Sequence, residues 1–380
     1  MMIKRKIYII CVLLSYFLPS FFTVGSMATI FTLLSTVIRL FVTIYHVPKV
    51  FSQYKVTLID ILVVLFLFFQ VFVGVQSQTV NLNYIGGQFF FLGLYSFLKY
   101  FLLFDCKTTI ESLFLTFILF LCVQVITQLL FPVGFDSLYP TGDNRLYFLG
   151  RKNIATPYII VGLGSFYLLN KKMNEFISLK EIIFLGLFGI LSFLTQSSTA
   201  IICYVLFIFM RMLGLKENIG KPYSLVSITV YICFSFSIIF SQSTILSTFT
   251  AIFSKNATFS GRINIWQLAI RIFEENFWFG KGLNIDFNAW TNGIIVNSAH
   301  NTLLDILART GIFPGILFVV VLLSLFLGKY RVKSKTLLTM LISFMVYITM
   351  EATSVSILLL IIAICVYWSF GEEKLYEQVT

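Results

Sequence analysis

Residues 56–75 read VTLIDILVVLFLFFQVFVGV, with a single charge, Asp60, near the start. Twenty residues of helix rise about 30 Å, the depth of a bilayer's hydrocarbon core. A strand of a membrane barrel alternates apolar and polar positions, and this run does not. Similar runs extend from it in both directions, at 7–24, 27–45, 84–104, 110–131, 154–169, 181–195, 199–213, 223–241, 312–328, 336–350 and 354–370, which makes twelve spans. Composition agrees. Of 380 residues, 58% are hydrophobic, 11% are charged and 44 are Phe, and the mean hydropathy is +0.94. A soluble domain carries roughly 25% charged residues, so this chain cannot cover a water-facing surface. The expectation is an all-α polytopic membrane protein, a single membrane domain over 1–380 with outer loops at 132–153 and 242–311. The spans at 181–195 and 199–213 are short and flank Gln196-Ser197-Ser198, as a hairpin or a partly re-entrant pair. Lys4-Arg5-Lys6 ahead of 7–24 has the shape of a signal peptide, but no small-x-small cleavage site follows, so this run is read as the first helix.

Basic residues orient the spans. With the N-terminus in the cytoplasm, eighteen of the 27 basic residues fall inside and eight outside, with Arg39 in the second span. Snorkelling toward the inner surface is the reading for Arg39. Both termini come out cytoplasmic. The net charge of +11 is then a topology signal and not a nucleic-acid surface. The six cysteines lie in or beside apolar runs without CxxC spacing, and read as small core hydrophobes. Of the two histidines, His46 beside Pro48 reads as incidental, in an inner loop.

The outer basic residues all fall in the two long loops. Long connections in a compact chain tend to carry function. In the second, Ser260 is a good N-cap for a helical pattern running to Glu275, with Ile265, Trp266, Leu268, Ile272 and Phe273 on one side and Asn264, Gln267, Arg271, Glu274 and Glu275 on the other. It reads as an amphipathic helix at the membrane surface. Arg262 stands in its first turn, where the helix dipole disfavours a cation; a bound phosphate would resolve that mismatch. Phe279-Gly280-Lys281-Gly282 is a flexible cationic turn, only weakly like a phosphate cradle. Ser298-Ala299-His300-Asn301 then leads into a short helix, where Asp305 and Arg309 have pairing distance. Imidazole is the side chain that titrates nearest neutrality, and His300 is the outer one. Gly311, Pro314 and Gly315 break the helix before the next span. The first loop ends in Arg151-Lys152-Asn153, adjacent cations at the outer face.

Taken in order, Ser260-Gly261-Arg262, Trp266, Phe279-Gly280-Lys281-Gly282, Ala299-His300-Asn301 with Leu304, and Gly311 resemble the O-antigen ligase and polymerase family, Wzy-type polymerases included. Arg151-Lys152-Asn153-Ile154-Ala155 is similar to the family's stretch before a middle span. One position departs. The family often carries a Ser-Arg pair after the span corresponding to 181–195, and here the run is Thr195-Gln196-Ser197-Ser198-Thr199-Ala200. Arg151 or Lys152 is the candidate to replace that arginine.

The resemblance implies glycosyl transfer at the outer face of the cytoplasmic membrane, from an oligosaccharide on undecaprenyl diphosphate. For a polymerase the acceptor is a sugar hydroxyl of another lipid-linked repeat unit; for a ligase it differs. No metal, nucleotide or other cofactor is implied, and a chain-length regulator and a flippase are candidate partners. On this reading His300 and Arg262 are catalytic. Arg151, Lys152, Arg271, Lys281 and Asn301 bind diphosphate, with Glu274, Glu275 and Asp286 as reserve bases. A transporter would instead place ionisable residues near mid-membrane. A non-catalytic scaffold is the other rival.

Overall fold

The computed structural model describes residues 2–23, 28–78, 82–132, 134, 146–150, 152–170, 178–195, 197–213, 220–240, 262–285, 287 and 298–379. Among them the regular structure is helical: α1 (Met2–Tyr16), α2 (Ala28–Gln53), α3 (Leu58–Gln76), α4 (Leu82–Phe104), α5 (Cys106–Leu130), α6 (Ala155–Leu169), α7 (Leu179–Leu194), α8 (Ser198–Met212), α9 (Lys221–Phe240), α10 (Arg262–Glu275), α11 (Thr302–Thr310), α12 (Ile312–Phe326), α13 (Lys335–Met350) and α14 (Val355–Val379). Each expected span overlaps one of these helices. In hydrocarbon, a helix satisfies its own backbone polar groups. α2 to α5 are long and apolar enough to cross a membrane, and α6, α8, α12, α13 and the first part of α14 are shorter apolar helices. Large apolar side chains such as Phe41, Phe68, Ile182 and Phe193 stand exposed on the outside of the bundle. The chain is an integral membrane protein.

Several boundaries move. Pro19 follows α1, which stops at Tyr16 and gives way to a short 3-10 turn, Ser20–Thr23. α2 continues through Pro48 to Gln53. His46 therefore lies within that helix and not in a loop; it is buried among Phe97, Tyr100 and Phe101, with Tyr8 Oη 3.1 Å from its Nε2. Arg39 does not snorkel to the inner surface. Its Nε donates to the Ser15 carbonyl at 2.8 Å, and the guanidinium lies over the Tyr16 ring. α7 and α8 form a hairpin, closed at its far end by Arg211 Nε on Glu181 Oε1 at 2.7 Å.

α6, α13 and the first half of α14 are covered on nearly every side. α6 packs on α5 and α13, α13 on α8, α4 on α2 and α14, and α12 on α3. Small residues permit such close crossings; a Cβ on Gly164 of α6 would stand 2.3 Å from Met340 Sδ of α13. At one end of the bundle Asp60 joins three helices. It accepts from Lys99 Nζ at 2.6 Å, from Tyr95 Oη at 3.0 Å and from Tyr367 Oη. Arg5–Asp105 and Lys6–Glu111 tie α1 to α5. The candidate site lies at the other ends of α6, α13 and α14.

Candidate functional site

Met350 ends α13, and Glu351 begins the short connection to α14. Glu351 is 6% exposed and serves both catalytic candidates. Its Oε1 accepts from an Arg262 guanidinium N–H and from Asn153 Nδ2 at 2.6 Å; its Oε2 lies 3.0 Å from His300 Nδ1. Burial alone would raise this carboxyl, but the hydrogen bond from His300 and the charge and hydrogen bond of Arg262 outweigh it and hold the group below its usual range. Glu351 is therefore the anionic hub of the site. Sequence reasoning missed it. The available signal was a lone acid in Met350-Glu351-Ala352-Thr353, between two apolar spans.

The imidazole is aimed by its backbone. His300 has φ +48°, a left-handed conformation that among the described non-glycine residues only Gln78 shares. Such a residue costs about 1–3 kcal/mol and persists where its surroundings hold it. Asp305 Oδ1 accepts from the Ala299 N–H at 2.9 Å just before the turn. Just after it, Asn301 caps α11 by accepting from Leu304 N at 3.1 Å and donates to the Thr349 carbonyl at 3.1 Å. Thr302 Oγ1 donates to the Glu351 carbonyl at 2.8 Å and accepts from Thr353 N at 3.0 Å. The turn is stitched to the α13–α14 connection on both sides.

α10 begins at Arg262, and its cation in the first turn is matched by the Glu351 carboxylate. Ser260 lies outside the described residues. The apolar side of α10 does not rest on lipid. Ile265, Trp266, Ala269 and Ile272 are buried in a second small core with Leu304 and Ala308 of α11 and Met350. The glycine turn is not a phosphate cradle either. Lys281 N and Gly282 N donate to the Ala308 and Arg309 carbonyls at 2.9 and 3.0 Å, so these donors satisfy the end of α11. Only Gly311, at φ +79°, breaks the chain there; Pro314 and Gly315 belong to the first turn of α12, where proline is tolerated. The Asp305–Arg309 pair forms at 2.9 Å.

Of the residues singled out from sequence, the structure brings together His300 and Arg262, with Asn301 beside them. Arg271, Lys281, Glu274 and Glu275 are exposed, Arg271 and the two glutamates on the side of α10 away from its buried face. Lys152 opens the 3-10 turn Lys152–Ile154 that carries Asn153. Arg151 and Asp286 lie outside the described residues, as does Gln196. Ser197, in the run where the resemblance leads to the expectation of a Ser-Arg pair, caps α8 and sits 3.5 Å from Thr156 Oγ1 of α6.

No curated protein and no solved structure matches the chain. Residues 183–319, the stretch from α7 into α12 that supplies both Arg262 and His300, match the family model of the O-antigen ligases.

Proposed function

We propose that the chain is a polysaccharide repeat-unit polymerase, moving a glycan from undecaprenyl diphosphate to a sugar hydroxyl of a second lipid-linked unit. The observation that carries this reading is the Arg262–Glu351–His300 chain of contacts. With Glu351 ionised, the Nδ1–H of His300 donates to it, which leaves Nε2 with the lone pair. That nitrogen takes the proton of the acceptor hydroxyl while the hydroxyl oxygen bonds to the anomeric carbon. The anomeric carbon–oxygen bond to phosphate breaks, and its electron pair leaves with the lipid diphosphate. Arg262 has further N–H donors beyond the one on Glu351 and faces the developing phosphate charge. Lys152 and Arg151 stand next to Asn153 in sequence and supply the second cationic grip. Arg271 and Lys281 draw the anionic donor to the surface. Asn301 acts through position.

The same reading puts the site outside the cell, twelve spans in the cytoplasmic membrane and both termini in the cytoplasm. The clustering of Arg5, Lys6, Lys99 and Arg211 with acidic partners away from the site supports that orientation.

The decisive test incubates full-length protein in lipid nanodiscs with the lipid-linked repeat unit. A ladder of longer glycans is the expected product, and its absence overturns the reading. Changing His300 to alanine lowers the rate by about 10²–10⁴-fold, the range for a lost general base. The family description favours one second reading, a ligase with the same donor. A deletion strain separates the two. Single lipid-linked repeats accumulate if the chain polymerises, and finished polymer stays on its lipid if it ligates.

A further inference from the structure

Next to the His300 turn the bundle lines a partly open cavity of about 190 Å³. It lies between α3, α4, α11 and the start of α14. Its polar walls are Gln70, Tyr84, Asp305, Arg309 and the three threonines Thr302, Thr310 and Thr353. Thr302 is common to both places, since its hydroxyl also bridges Glu351 and Thr353. Gln70 sits inside an apolar helix, is 7% exposed, and accepts from Tyr84 Oη at 2.9 Å. Polar groups buried in a membrane bundle are costly and mark sites of use. Here such groups from three helices face one space.

Charge decides what fits. Arg309 is the single cation among the described residues lining the cavity, and Asp305 matches it at 2.9 Å. A diphosphate would meet the Asp305 carboxylate with no unmatched cation to offset it. A neutral polyol meets the opposite situation: an amide, a phenol, three threonines and an ion pair both donate to and accept from hydroxyls. Phe66 and Leu358 offer apolar surface to ring C–H groups. The volume equals about six waters at liquid density, the scale of one sugar ring. We infer that this cavity is the acceptor subsite, holding one uncharged pyranose of the incoming glycan beside His300. The inference deepens the transfer reading above and rests on it for the word acceptor.

The test is binding of a soluble probe to the full chain in nanodiscs. The probe is the repeat-unit oligosaccharide, freed from its lipid by mild acid and followed by saturation-transfer NMR and calorimetry. Gln70→Leu removes the amide at similar volume, and Val355→Phe fills the space. Each is expected to weaken binding at least tenfold with an unfolding temperature like the parent's. No binding by the parent, or equal binding by folded variants, overturns the subsite. Should Val355→Phe fail to fold, Gln70→Leu decides alone. A parent that binds through these residues but builds no ladder removes the transfer reading and leaves a saccharide site. A ladder whose acceptor KM is untouched by both variants removes the subsite and leaves the transfer.

Discussion

Replacing Glu351 by glutamine keeps its shape and removes its charge. In the folded chain this carboxyl titrates below its ordinary value of 4.5. The contribution of its ionised form to stability is therefore complete above about pH 4.5 and is lost as pH falls through the lowered value. Denaturant unfolding measured across that window should show the loss in the parent and not in Glu351→Gln. Glu351→Ala takes from the half-buried Arg262 guanidinium its carboxylate partner and should cost about 1–3 kcal/mol. The left-handed turn gives a second residue-scale expectation. On the proposed reading His300→Gly and His300→Ala should slow transfer alike, but glycine tolerates φ +48° and alanine does not. The glycine variant should unfold at the higher temperature. His300 and Arg262 were legible because an imidazole and a first-turn arginine are rare signals in so apolar a chain. Glu351 was not, because a single acid between two spans has no periodicity to declare it, and its partners are 51 and 89 residues away in sequence.

At the scale of elements, the glycine turn and the short helices α10 and α11 form one joint. Lys281 N and Gly282 N end on α11, and Ile312 N donates to the Phe277 carbonyl at 3.0 Å. A Cβ on Gly311 would come within 2.3 Å of the Trp278 carbonyl oxygen, at a φ alanine avoids. Gly311→Ala should thus lower stability by about 1–3 kcal/mol and loosen the joint, read as faster proteolysis between α10 and α11. The amphipathic pattern of α10 was plain in sequence. What its apolar face covers was not, because a lipid surface and a small protein core ask for the same stripe of Ile265, Trp266, Ala269 and Ile272.

For the whole molecule, the far end is held by the buried Asp60–Lys99 pair with Tyr95 and Tyr367. Lys99→Met alone strands a buried carboxylate and should cost about 3–5 kcal/mol, whereas combining it with Asp60→Asn should recover most of that loss, as thermal unfolding in detergent would register. The helical architecture could be read from hydropathy because every span must be apolar and internally bonded. The contacts that join those helices could not, since any helix of Leu and Phe fits many neighbours. Orientation is checked by thiol labelling in intact cells: a cysteine placed at exposed Glu274 should react with an impermeant reagent, and one at Lys49 should not.

Asn153, Arg262, His300 and Glu351 come from four stretches of the chain, the last of them on the connection into the final helix. A ribosome delivers these pieces one after another. Until Glu351, on the connection between α13 and α14, has been made, a nascent chain presents its arginine and imidazole without the carboxylate that aligns them. On the proposed reading, a chain without α13 and Glu351 would hold lipid-linked sugar without transferring it.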